Sequence, residues 1–251
     1  MNPRDYQAPA NCLENRIIAV TGAGAGIGRQ AALTFAAHGA EVVLIGRTVP
    51  KLEQVYDEIV AAGGKQPAIY PIDLEGANED QYIEMADALN AEFGHLDGLL
   101  HNAGQLGQRT PIANFTLNSW NKVMQVNVTA QFLITKALLP LLEQSKDASI
   151  VFTSSGVGRK GRAYWGAYSV SKFATEGFAQ VLADELEGTS RIRVNCINPG
   201  ATRTAMRAAA YPAEDPATLP TPADIMPTYL YLMGPDSKGI SGESFDAQVK
   251  K

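Results

Sequence analysis

Among its 251 residues the chain has two cysteines, three histidines and two tryptophans. Two thiols, Cys12 and Cys196, are too few for a disulfide framework, and Cys196 lies in an apolar, strand-like run where a buried thiol is expected, as in a reduced cytoplasmic protein. His38, His95 and His101 show no ligand-like spacing, so no metal site is expected. No apolar run is long enough for a bilayer: the longest, from Phe132 to Leu142, is broken by Lys136 and Pro140. Met1 to Tyr6 is polar and contains Pro3, which offers no leader-type apolar segment. Net charge is −5, which excludes a basic footprint for nucleic acid. No GxSxG surrounds Ser155, and no histidine is placed for a serine hydrolase. Repeats, low-complexity tracts and linker composition are also missing, so one domain over 1–251 is expected, with an irregular N-terminal arm over 1–15.

What is present is a regular alternation of strand and helix patterns. The β-branched run Arg16–Thr21 reads as a strand buried on both faces. It runs into Gly22-Ala23-Gly24-Ala25-Gly26-Ile27-Gly28 and then a helical pattern through Ala31, Leu33, Phe35 and Ala36. Strand, glycine turn and helix in that order form a dinucleotide-binding context, since glycines allow close backbone approach and the helix start offers N–H groups to a pyrophosphate. The second strand, Glu41–Gly46, has glycine where an acid would select NAD, followed by Arg47. NADP(H) is therefore expected, with NAD(H) as second candidate and adenine stacking as the other reading of Arg47.

A helix over 50–62, stopped by Gly63-Gly64, precedes a strand over 68–72 that ends at Asp73-Leu74. Asp73 is placed either to meet an adenine amino group or to cap a turn. A helix over 78–93 leads to a strand over 96–101, which ends in Asn102-Ala103-Gly104, small enough for backbone to lie against a cofactor. One long helical pattern over 118–142 carries Asn127, a polar residue that needs a partner if it faces a core. A strand over 149–153 ends at Ser154-Ser155, and a strand over 191–197 ends at Asn198-Pro199-Gly200. Thr202 to Pro222 is Ala/Pro-rich and weakly patterned, a substrate lid or a surface loop. A short helix over 224–233 and a strand over 243–246 close the chain. The pattern predicts an α/β fold, a Rossmann-type doubly wound parallel sheet with ligands beyond the C-terminal strand ends.

Tyr168 and Lys172 lie at i and i+4 of a helical pattern and so share one face. A phenol titrating near ~10 becomes a usable acid/base when a cation is held beside it. A surface Tyr and Lys at helical spacing is the alternative.

Thr21 to Gly28 matches TGxxxGxG, Asn102-Ala103-Gly104 matches NAG, Tyr168 to Lys172 matches YxxxK, and Pro199-Gly200 with Thr204 matches PGxxxT. Together, in order and across nearly the whole chain, these motifs resemble the short-chain dehydrogenase/reductase superfamily in its single-domain form. Stretches such as Phe152–Ser155, Trp165–Tyr168 and Thr221–Pro227 resemble its bacterial YciK-like group of oxidoreductases. The resemblance implies a catalytic tetrad of Asn127, Ser155, Tyr168 and Lys172, with Ser154 as the alternative serine. Ser155 would bond the substrate oxygen, Tyr168 would exchange its proton, Lys172 would lower the Tyr168 pKa, and Asn127 would hold a relay water. The implied cofactor-binding set is Gly22, Gly24, Gly26, Ile27, Gly28, Arg47, Asp73, Leu74, Asn102, Ala103, Gly104, Tyr168, Lys172, Pro199, Gly200, Thr202 and Thr204.

The chain departs from the family pattern in three places: His101 precedes NAG, Ala25 replaces a basic residue, and Ala247 replaces a glycine. Arg47, with Arg29 or Thr48, is left to hold a 2′-phosphate. The expected activity is carbonyl/alcohol interconversion on a small molecule by a cytoplasmic homodimer or homotetramer, without nucleic acid or membrane. A non-catalytic NADP(H)-binding sensor is the alternative, and an epimerase- or dehydratase-type relative is a third reading. Arg159, Lys160 and Arg162 are candidates to attract an anionic substrate or to form a solvated loop. Tyr164, Trp165 and Tyr211-Pro212 are candidate pocket walls.

Overall fold

Alternating side-chain direction along β1 (Ile17–Thr21) sorts the core into two layers. Ile18 and Val20 pack into one with Phe35, Leu52 and Tyr229, while Ala19 packs into the other with Tyr82, Met85 and Leu138. The same division recurs along β4 (Gly98–His101) and β5 (Ser149–Thr153), where Leu99, Ile150 and Phe152 face one layer and Leu100 and Val151 the other. Strands buried on both faces need apolar residues in succession, which is why these stretches read as continuous runs.

The computed structural model describes residues 2–249 and holds seven parallel strands in the order β3-β2-β1-β4-β5-β6-β7. The others are β2 (Glu41–Gly46), β3 (Ala68–Pro71), β6 (Arg193–Asn198) and β7 (Ser244–Asp246). On one face lie α1 (Gly26–Ala37), α2 (Val49–Ala61) and α8 (Met226–Met233). On the other lie α3 (Glu79–Phe93), α5 (Ala130–Glu143) and α6 (Gly166–Leu186), with α4 (Leu117–Met124) against α6. The sheet order reverses between β1 and β4, and in doubly wound sheets ligands bind at such a switch point. Among the described residues no helix is long and apolar enough to cross a membrane.

Two expectations change. The pattern over 118–142 is two helices, α4 and α5, joined by a π-helical segment over Gln125–Thr129, closed by Ala130 N–H donating to Gln125 O. An i+5 turn adds one residue to the cycle, a change too small to disturb apolar periodicity. The N-terminal arm holds no α-helix or strand over 2–15, only turns and a 3-10 turn at Pro3–Asp5, and it is docked. Tyr6 is buried edge-on to Tyr231 and donates to Asp236 at 2.9 Å, and Leu13 is fully buried. The Ala/Pro-rich stretch contains α7 (Ala205–Ala210), capped by Thr204, and a 3-10 turn at Pro216–Thr218.

Candidate active site

Thr21, at the end of β1, fastens two of the motifs together. Its hydroxyl donates to Leu100 O at 3.3 Å and accepts from the backbone N–H groups of Asn102 and Ala103 at 3.0 and 3.1 Å. Asn102 Nδ2 donates back to Thr21 O at 3.3 Å. Asn102, expected against a cofactor, thus braces the glycine turn from behind, leaving Ala103 and Gly104 to line the cleft. A β-carbon on Gly28 would stand 2.4 Å from Gly22 O, so α1 packs backbone to backbone on that turn. Gly22 and Gly26 hold φ of 68° and 57°, a region L side chains disfavour.

A cavity of about 290 Å³ opens at the switch point, walled by Gly22, Gly24, Arg47, Thr48, Lys51, Asp73, Leu74, Ala103 and Gly104. Two of its features suit the adenosine end of a dinucleotide. The glycine turn leaves little room for a side chain, since a β-carbon on Gly22 or Gly24 would stand 3.0 Å from Ala103 or Lys51, and Arg47 and Lys51 supply two cations to the lining. Lys51 was not singled out by sequence. It belongs to an amphipathic α2, and only the close packing of its β-carbon, 3.0 Å from the position a Gly24 β-carbon would take, brings it to the site. Arg29, by contrast, is ion-paired with Glu58 and lines no part of this cavity. Asp73 both caps a turn, accepting from Glu75 N at 3.2 Å, and lines the cavity.

A second cavity of about 100 Å³ is bounded by Ile27, Ser154, Ser155, Trp165, Tyr168, Pro199, Gly200, Thr202, Thr204 and neighbours from α7. Ser154 Oγ is buried here without a hydrogen-bond partner, a wall hydroxyl suited to a polar ligand such as a nicotinamide carboxamide. Thr204 contributes a wall, but its hydroxyl accepts from Arg207 N at 3.1 Å as the cap of α7. Gln248, which sequence reading missed, holds the Pro199 turn through Pro199 O, Ala201 O and Thr202 Oγ1 at 2.8, 3.0 and 3.1 Å.

The four tetrad candidates converge beside this cavity. Ser155 stands close enough to Tyr168 to pull its pKa down, but burial dominates and pushes the phenol up to about 12. Ser155 rather than Ser154 is therefore the serine that meets Tyr168. Lys172 is buried; its Nζ donates to Thr153 O at 2.7 Å and stands 5.7 Å from the Tyr168 ring centroid. Burial lowers Lys172 to about 8, against opposing pulls from Cys196 and Glu176. The lowering of Tyr168 expected from Lys172 does not prevail: burial sets the phenol, with the ammonium standing at its ring. Asn127, fully buried, finds its partners elsewhere: Oδ1 accepts from Gln105 N at 2.7 Å, and Nδ2 donates to Gln105 O and Ser171 Oγ, both at 2.9 Å. The π segment orients it toward the loop after β4 and toward α6, with no bond to Lys172.

Other sequence candidates separate. Arg159 folds inward onto Glu176 at 3.3 Å and Asp246 at 2.7 Å, so it clamps β7 to α6 and does not face a ligand. Lys160 and Arg162 are exposed. Trp165 is buried against Tyr168 and Tyr211, while Tyr164 points outward at a φ of 70°. His101, before the NAG turn, stacks on Phe152 and is lowered to about 3 by burial, so it stays neutral.

A profile of the short chain dehydrogenase family matches residues 16–215. The uncharacterised oxidoreductase YciK of Escherichia coli (strain K12) is 55% identical over 243 residues, 97% of this chain and 96% of its own. A short chain dehydrogenase from Shigella flexneri 2a str. 301, solved in complex with NADP, has a TM-score of 0.94 at 54% identity, covering 96% of this chain and 100% of that one. One from Escherichia coli CFT073, solved with NADPH, has the same TM-score, identity and coverage. The chain belongs to the short chain dehydrogenase family.

Proposed function

We propose that this oxidoreductase uses NADP(H) to interconvert a carbonyl and a secondary alcohol, with Tyr168 as general acid/base. The observation that carries the reading is the meeting of the Ser155 hydroxyl and the Tyr168 phenol in a cavity whose wall continues into the Pro199-Gly200 turn. Bound nicotinamide supplies or accepts the hydride. Ser155 and Tyr168 together hold the substrate oxygen, and Tyr168, protonated at neutral pH, gives it a proton as negative charge develops. This protonation state favours reduction. Lys172 keeps a positive charge beneath Tyr168 below about pH 8, which stabilises the phenolate left behind. Asn127 fixes the loop at Gln105 and the Ser171 face of α6, and thereby positions both catalytic side chains.

NADP(H) over NAD(H) is supported by Arg47 and Lys51, by a β2 terminus without an acid, and by the two relatives solved with NADP and NADPH. The reading extends to self-association through α5 and α6, which expose Phe132, Phe173 and Val181, and to a cytoplasmic setting. The non-catalytic sensor finds no support, because all four tetrad positions are intact and gathered. Fluorescence titration with NADPH and NADH tests the cofactor assignment. Tighter NADPH binding is expected, equal or tighter NADH binding overturns it, and a carbonyl panel with NADPH then tests turnover.

A further inference from the structure

Against two wall residues of the small cavity, Trp165 and Ala210, lies a guanidinium for which the mechanism above has no use. Arg109, in the loop after β4, lies with its guanidinium carbon 4.5 Å from the centroid of Trp165 and 4.9 Å from that of Tyr211. It also donates to Ala210 O at the end of α7. Trp165 is in turn 5.7 Å, centroid to centroid, from Tyr168. One indole therefore separates this cation from the phenol that would protonate a carbonyl.

Charge on this side of the cavity does not balance. Arg207, stacked on Tyr211 at 3.8 Å, is paired with Glu214 through two bonds of 2.6 Å. Arg109 has no carboxylate within ion-pair distance among the described residues, and no Asp or Glu lines the cavity. Two guanidiniums are thus matched by one carboxylate, on Arg207's side. A clasp between the loop after β4 and α7 needs the ring stacking and one bond to Ala210 O. Arg109 brings in addition a planar fork whose remaining N–H groups are directed to no protein acceptor. Arg109 is exposed, so its charge bears no burial cost and its hydration is exchangeable for a ligand.

We infer that Arg109 recognises the anionic end of the substrate, and that the substrate is an oxo acid: a carbonyl compound bearing a carboxylate beyond the reacting carbon. This rests on the carbonyl-reductase reading and names the substrate class of the same site. The carbonyl oxygen meets Ser155 and Tyr168, the chain between passes the Trp165 and Leu106 wall, and the carboxylate pairs with the Arg109 fork. The anion-reading role expected of the basic stretch 159–162 thereby moves to a residue fifty positions earlier in the chain, because Arg159 is committed to Glu176 and Asp246.

The test uses levulinate and its one- and two-carbon longer homologues, each against its primary carboxamide, which is nearly isosteric but neutral. Initial rates are measured with NADPH for the intact protein, R109A, R109K and R162Q. For the acid of matching length, kcat/KM should exceed that of its amide by about tenfold or more, as a charge-assisted contact gives. R109A should bring that ratio close to one, R109K should hold part of it, and R162Q should leave it unchanged. If R109A merely loosened α7, acid and amide would fall together and the ratio would survive, which overturns the inference. Equal rates for acid and amide at every length, or turnover of neutral carbonyls with none of the acids, also overturn it. No NADPH oxidation with any carbonyl would instead remove the reading beneath it.

Discussion

Lys172 Nζ donates to the carbonyl oxygen of Thr153 at 2.7 Å, fixing the last residue of β5 to the second turn of α6. The ammonium is held below the Tyr168 ring and within the field of Glu176 and Cys196. Removing it has consequences for stability as well as for chemistry.

Folded Lys172 titrates near 8, below its ordinary 10.5. Below pH 8 both folded and unfolded chains hold the proton, and the folded state carries the full burial cost. Between those two values only the unfolded chain holds it, so this residue makes stability rise with pH, by on the order of 3 kcal/mol in all. Against that, K172M leaves Thr153 O without its donor, at a cost of ~1–3 kcal/mol. Urea unfolding of wild type and K172M from pH 7 to 10 should show the wild type gaining on the variant as pH rises. Parallel curves would contradict the assignment.

Tyr168→Phe removes the proton donor and keeps the ring against Trp165. Turnover should fall by ~10²–10⁴, the usual worth of a general acid, while NADPH binding by fluorescence stays close to wild type. Retained turnover would dismiss Tyr168 as the acid.

Arg47→Ala and Lys51→Ala should each weaken NADPH binding by about tenfold and leave NADH almost untouched, since each removes one charge-assisted contact to a 2′-phosphate. Arg29→Gln, whose partner is Glu58, should leave the NADPH/NADH ratio alone. Paired titrations with both nucleotides decide this.

Arg159→Met strips the partner from Glu176, whose side chain is 9% exposed. Breaking a buried pair costs ~3–5 kcal/mol, and the partial exposure of Arg159 brings the expected loss to about 2 kcal/mol. Adding Glu176→Gln should return part of it, because the uncompensated charge is then gone. A double variant no more stable than the single one would exclude the clamp.

The sheet was legible because strands buried on both faces leave continuous β-branched runs, and the site was legible because its glycine, NAG, YxxxK and PG motifs end those runs on one edge. Arg109 and Lys51 were not legible. Each is a lone basic residue in polar surroundings, and only the approach of chain segments remote in sequence gives it neighbours. Thr204 and Asn102 show the converse, positions found by motif whose side chains serve a helix cap and a turn. Asn127 was seen as needing a partner, but the π turn that supplies its partners adds one residue without altering composition.

That extra residue in Gln125–Thr129 is absorbed locally between two halves of what would otherwise be one continuous rod. Each residue of an α-helix advances about 100° around the axis, so an extra one wound at that rate would turn α5 off the sheet. The wide i+5 turn takes it up instead, and Val123 on α4 and Ile134, Leu138 and Leu142 on α5 all stay buried. Deleting one of the five would restore ordinary winding and leave that core layer in place. What it would remove is the widened turn that brings Asn127 to Gln105 and Ser171.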